Sequence, residues 1–198
     1  MEPISQDLKI IQGATFRWPF YWYSDTEVVK TITSVSRGYP STFTAVAHGL
    51  PASAVPASIL NVGDWIDTGL AKADRVYVTK TGADDFKVEV NSAEESAYSG
   101  SAGRLVYNEP MNLAAGWTAR MHVRESRDAT DILQAFTSAG TSIELGSDGR
   151  IELVLDDADT NDLDFASAVY DLELEDSSGN VYRVAQGKVT LSPQVTRS

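Results

Sequence analysis

Residues Val169 to Pro193 read Val-Tyr-Asp-Leu-Glu-Leu-Glu-Asp-Ser-Ser-Gly-Asn-Val-Tyr-Arg-Val-Ala-Gln-Gly-Lys-Val-Thr-Leu-Ser-Pro. Tyr170, Leu172 and Leu174 alternate with Asp171, Glu173 and Glu175. A period of two means a strand with one dry face and one wet face. Asp176 to Asn180 are turn formers, with Gly179 free to take positive φ. The return strand from Val181 puts Tyr182 and Val184 on the dry face. Beyond Gly187 the apolar positions become Val189 and Leu191, so the parity has flipped. One extra residue near Gly187 accounts for the flip, which predicts a β-bulge there. The stretch is a long, bulged hairpin closing a β-sandwich.

The same style appears at the start and in the second half of the chain. Leu8 to Gln12 is a short strand ended by Gly13. Phe16, Trp18, Phe20 and Trp22 share one parity and read as the buried face of a strand. Pro19 cannot donate to a ladder, which makes that strand an edge or bulged. Ser24 to Glu27 reads as a polar turn. Trp117, Ala119, Met121 and Val123 alternate with Thr118, Arg120, His122 and Arg124. Ile151, Leu153 and Leu155 form another inward row, and a helical turn is expected at Thr160 to Phe165. Between these parts the chain is rich in Ser, Thr, Ala and Gly, with short strands near Phe43, Ile59, Trp65, Val76 and Phe86. Close-spaced short strands suggest a small barrel. The expected class is therefore all-β: a discontinuous sandwich over 1–30 and 106–198 with a small β-barrel, 31–105, inserted in a loop.

The chain has 198 residues, enough for a real core, and no cysteine, which excludes disulfides and thiol chemistry. No apolar run approaches the roughly 18–20 residues that span a bilayer, so no membrane insertion is expected. The N-terminus lacks the basic start and apolar core of a signal peptide. A net charge of −12 argues against a nucleic-acid partner, since phosphates need Lys and Arg clusters. Between Ile151 and Asp176 lie ten carboxylates and no Lys or Arg. Such a run reads first as a solvated face and second as a docking surface for a basic partner. The candidate docking residues are Asp156, Asp157, Asp159, Asp171, Glu173 and Glu175.

Catalytic patterns are absent. His48 precedes a Gly-Leu turn and reads as a turn-stabilising residue; His122 falls on the wet parity of its strand. Neither has a carboxylate or histidine at ligand spacing. Asp157, Asp159 and Asn161 imitate a calcium loop, but Asp162 and Ala168 stand where its Gly and Glu belong. No Gly-x-Ser-x-Gly, Walker or dinucleotide pattern occurs. No cofactor or metal is expected, and no enzymatic activity.

Four motifs in order carry a resemblance. They are Ile11-Gln12-Gly13-Ala14-Thr15-Phe16, Thr118-Ala119-Arg120-Met121-His122-Val123-Arg124, Tyr170 to Leu174, and Gly187-Lys-Val-Thr-Leu-Ser-Pro193-Gln-Val-Thr-Arg197. Together they resemble a domain of phage tail and baseplate proteins, similar to the N-terminal immunoglobulin-like domain of siphophage upper baseplate proteins. Within the insertion, His48-Gly49-Leu50, Val62-Gly63-Asp64-Trp65-Ile66 and Asp84-Asp85-Phe86-Lys87-Val88 resemble a small β-barrel repeat of phage tail proteins. That repeat is sequence-related to the first catalytic cysteine half-domain of ubiquitin-activating enzymes. The longer link from Pro51 to Ile59 departs from its pattern. The resemblance implies an immunoglobulin-like sandwich and a virion protein of the tail tip, baseplate or fibre-attachment region, assembled in the host cytoplasm. Its partners would be other tail and baseplate proteins, in multiple copies around the tail axis. Two alternatives are a collar or head decoration protein, and a receptor-binding protein stacking Trp65, Tyr77 or Tyr98 on a host surface glycan.

Overall fold

The computed structural model describes residues 3–63 and 75–195. In chain order its elements are β1 (Ile4–Ser5), β2 (Leu8–Ile11), β3 (Phe16–Tyr21), β4 (Tyr23–Thr31), β5 (Ser34–Ser36), β6 (Ser41–Thr44), β7 (Val55–Leu60), β8 (Val76–Lys80), β9 (Asp85–Val88) and β10 (Arg104–Pro110). They continue with β11 (Trp117–Arg124), β12 (Gln134–Thr137), β13 (Ile143–Leu145), β14 (Arg150–Leu155), α1 (Asp157–Asn161), β15 (Ser167–Asp176) and β16 (Val181–Ser192). The protein is all-β, and it divides into two compact units, Met1–Trp22 with Asn112–Ser198, and Tyr23–Met111.

The discontinuous unit is a β-sandwich. One sheet runs β1-β16-β15-β11-β12, with β2 also paired to β16; the other runs β13-β14-β3. Period-two patterning builds the core between them: Met121, Val123, Leu172 and Leu174 from the first sheet and Phe16, Phe20, Ile151 and Leu153 from the second are all buried. Trp22, Trp117 and Tyr182 meet at one side, with ring centroids 5.3 to 5.7 Å apart. Pro19 lies on β3, the edge strand, where no ladder donor is missed.

The hairpin of β15 and β16 is present, with Gly179 at φ 82° in its turn. Its bulge is elsewhere than the sequence suggests. Leu172 faces Ala185 while Glu173 faces Arg183, so Val184 is the extra residue. Val184 and Ala185 are both buried, which is where the parity changes. Gly187 serves close approach instead: a β-carbon there would overlap the Gln6 carbonyl. Gln6 donates its N–H to the Gln186 carbonyl at 2.9 Å, and the Tyr170 hydroxyl donates to the Gln6 carbonyl at 2.7 Å.

The inserted unit is a single antiparallel sheet, β4-β10-β7-β8-β9-β6-β5. Its first and last members are consecutive in the chain, parted by Ile32 and Thr33 alone. The Ile32 N–H donates to Gly103 on one side and the Thr33 N–H to Thr44 on the other. One run of chain therefore supplies both edges, and the sheet closes on itself around Ile32, Phe43, Val78, Phe86 and Leu105. The link from Pro51 ends early, since β7 begins at Val55.

Three further expectations are corrected here. Ser24 to Glu27 is not a turn; these four polar residues belong to β4, where little covers them. Because β4 pairs with β10 from Tyr23↔Pro110 to Thr31↔Arg104, the unit boundaries fall at 22/23 and 111/112, not at 30 and 105. The single helical turn also starts earlier, at Asp157, because Asp156 caps it by accepting the Asp159 N–H at 2.8 Å.

Candidate functional site

The outer face of the larger sandwich sheet carries a charge ladder. Register places Arg120 opposite Glu173, His122 opposite Asp171, and Glu173 opposite Arg183. Arg120 holds Glu173 at 2.9 Å and Glu175 at 3.2 Å; Arg183 holds Asp171 at 3.2 Å. The docking residues Asp171, Glu173 and Glu175 are thus brought together, but each with an arginine. The smaller sheet repeats the device. Glu152, largely buried, accepts from Arg17 at 3.2 Å and Arg150 at 2.8 Å.

The acidic run therefore splits by role. Glu152, Asp171, Glu173 and Glu175 are ion-paired. Asp176 closes the hairpin turn: hydrogen bonds from the Asn180 side chain, then from backbone amides of Asn180 and Ser178, hold its carboxyl below its ordinary pKa. Asp156, Asp157, Asp159, Asp162 and Asp164 remain, all exposed, on and just after α1. Among the described residues none of these five has a cation within ion-pair distance. Asp157, Asp159 and Asn161 are helical here, an arrangement unlike a calcium loop. Among the described residues no group of three acidic or histidine side chains is placed to hold a metal.

Beside the ladder, the same face forms a groove of about 520 Å³. Arg124 and Arg127 line one side and Arg183 and Lys188 the other, with His122, Asp7 and Asp171 among the remaining lining residues. Four cations against two carboxylates make this a basic groove on a strongly acidic protein. Both carboxylates are engaged: Asp7 accepts the Lys188 N–H at 2.9 Å and Asp171 pairs with Arg183. The sequence reading missed this groove. Its residues lie on strands some sixty positions apart, and only the β11–β15–β16 register joins them.

Of the glycan candidates, Tyr77 is exposed on β8. Tyr98 is half-buried against the barrel core; its hydroxyl donates to the Ile32 carbonyl at 3.2 Å and accepts the Gly103 N–H at 2.8 Å. It is a clasp, not a stacking platform. Trp65 lies outside the described residues. His48 is buried, with Nδ1 accepting the Leu50 N–H at 3.0 Å and Nε2 3.2 Å from the Asp85 carbonyl. That pattern makes it the Nε2–H tautomer and joins the His-Gly-Leu turn to the Asp-Asp-Phe strand. Its edge meets Phe86, which stacks on Phe43 at 5.4 Å.

No protein-family model matches this chain, and no curated protein matches it. Among solved structures it is similar to a Bacteroides ovatus mixed-linkage glucan utilization locus protein, SGBP-B, in complex with a mixed-linkage heptasaccharide. Identity is 10%, with 96% of this chain and 67% of that chain covered, at a TM-score of 0.26. A likeness at that level carries no argument.

Proposed function

We propose that the protein is a non-enzymatic structural component of a tailed-phage virion, in the tail tip, baseplate or fibre-attachment region, acting by docking to other tail proteins. One observation supports this reading best: the four signature motifs converge. Thr118–Arg124 and Tyr170–Leu174 lie on neighbouring strands, Gly187–Thr190 pairs with Ser167–Tyr170 of the second of them, and Leu191 and Ser192 pair with Ile10 and Ile11. The first motif reaches the last directly, since Gln12 accepts the Gln194 N–H at 3.2 Å and donates its own N–H to Ser192 at 3.0 Å. A β-carbon on Gly13 would overlap the Gln194 side chain. Residues with structural roles assemble like this, as one framework. The cross-strand ion-pair ladder on the larger sheet suits contact with a protein surface.

Antibody labelling of intact particles by negative-stain microscopy tests the proposal. Label at the distal tail is expected. Label on the capsid or collar, or none on the particle, refutes it.

A further inference from the structure

We propose that the basic groove on the outer face of the larger sandwich sheet receives the acidic α1 segment, Asp156–Asp164, of a second copy of this chain. The inference goes beyond tail placement and does not depend on it. On this unit Arg17, Arg120 and Arg150 each hold carboxylates. Lys9, Glu125, Asp128, Asp131 and Asp148 have no ion pair among the described residues, and two further places concentrate unpaired charge of one sign. The groove keeps Arg124, Arg127 and Lys188 without a carboxylate partner among the described residues. Arg124 is oriented by donating to the Ala129 and Thr130 carbonyls, which leaves its charge uncompensated. The α1 segment keeps five exposed carboxylates without a cation.

The segment is built to project. Thr160, fully buried, donates its hydroxyl to the Ala14 carbonyl at 2.9 Å, and Leu163 is buried beside it. These anchors hold the acidic side chains outward on a fixed turn, so little ordering is left to be done on association. Arginine's planar fork matches carboxylates, and the groove has room for several acidic side chains. At physiological ionic strength the repulsion between two acidic molecules is screened beyond roughly 8 Å, whereas pairs in contact are screened less. Because the two patches differ, the contact is heterologous and propagates into a ring or an open chain.

Analytical ultracentrifugation of the full chain at 0.15 M salt, over a dilution series, tests this. Wild type is expected to associate beyond the monomer. R127E/K188E, and separately D162K/D164K, should each weaken association at least tenfold, while the four-fold charge-swapped chain recovers to within about threefold of wild type. All four side chains are exposed, and unchanged near-UV dichroism checks the fold. A wild type that stays monomeric, single-patch variants that associate like wild type, or a swapped chain that fails to recover each overturn the proposal. Binding of added polyglutamate by a chain that does not self-associate also overturns it, and identifies the occupant as a foreign acidic segment.

Discussion

Replacing Gly187 by alanine tests how the N-terminal strand is held. The new β-carbon would overlap the Gln6 carbonyl, which is backbone and cannot swing aside. Forcing a methyl into such a site costs about 1–3 kcal/mol. Peeling β1 away is the alternative, and it sets a ceiling. Its losses are the Gln6–Gln186 and Tyr170–Gln6 hydrogen bonds, at about 0.5–1.5 kcal/mol each, together with the pairing of Ile4 and Ser5 with Ala185 and Gln186. Little apolar burial goes with them, because Ile4 is half exposed, whereas Leu8 and Ile10 keep β2 in the core. G187A should therefore cost about 1–3 kcal/mol by either route, and the peeled route has a signature. Y170F alone should cost about 1 kcal/mol. In the G187A background it should cost close to nothing, because the hydroxyl's acceptor has already gone; that non-additivity is the coupling a double-mutant cycle reads. Urea unfolding followed by tryptophan fluorescence suits the question, since Trp18, Trp22 and Trp117 all lie in this unit. Amide exchange at Gln6 supplies the local readout. A G187A protein within about 0.3 kcal/mol of wild type, with Gln6 still protected, would refute the reasoning.

Two other outcomes are expected. Burial pushes the Tyr170 phenol well above its ordinary value, with Asp7 adding to the shift, and burial followed by Glu109 does the same for Tyr107. A raised folded-state pKa stabilises the protonated form, so this contribution is complete below the unfolded value of about 10 and is lost as pH rises beyond it. Thermal melts from pH 8 to 11.5 should show falling stability above about pH 10, with a shallower fall in Y170F; a flat profile would contradict the assignment. H48A leaves the Leu50 N–H unmatched at a buried position, while the Asp85 carbonyl keeps the Thr81 and Gly82 N–H donors, and should destabilise the barrel unit by about 1–3 kcal/mol. Exchange protection should drop at Phe43 and Phe86 while Met121 and Leu172 keep theirs, and equal loss in both units would argue against separate cores.

Much of the fold could be read from alternation alone. The inward rows of β11, β14 and β15 are the apolar residues of a period-two pattern, and Pro19 restricts β3 to an edge or a bulged strand, of which the structure has the edge. The bulge was misplaced for a physical reason. Parity shows that a residue is inserted somewhere between Tyr182 and Val189, but Val184 and Ala185 are both apolar and hide the step. Gly187 attracted the assignment because glycine serves both bulges and close contacts. Ser24 to Glu27 reads as a turn because a strand with a mostly exposed face loses the apolar signal that identifies strands. The acidic run was legible as composition, not as chemistry. Whether Glu173 is a free charge depends on Arg120, fifty-three positions away, and only strand register decides that. The basic groove was illegible for the same reason, being made of four cations that no short window of sequence contains together.

How a barrel can interrupt a sandwich follows from the junctions. In the sandwich, the Trp22 N–H donates to Gly149 at 2.9 Å and the Leu113 N–H to Gly146 at 3.1 Å. The two chain ends that frame the insertion are therefore fastened to the same turn, the one joining β13 to β14. In the barrel, the entering and leaving strands pair from Tyr23↔Pro110 onward, and the entering strand runs on through Ile32 and Thr33 to seal the opposite edge. Each unit thus satisfies its backbone and buries its core within itself. The sandwich needs a tethered pair of ends, and the barrel needs only that its ends begin together. Cores that are independent in this way leave the outer faces free to specialise. On the sandwich, register pairs the charges of the central strands with one another, and the basic groove and the α1 segment concentrate unpaired charge of opposite sign. Unpaired charge that recurs in complementary form on one molecule is a better guide to a docking partner than the total of −12, because a contact reads charges within a few ångströms and screening removes the remainder.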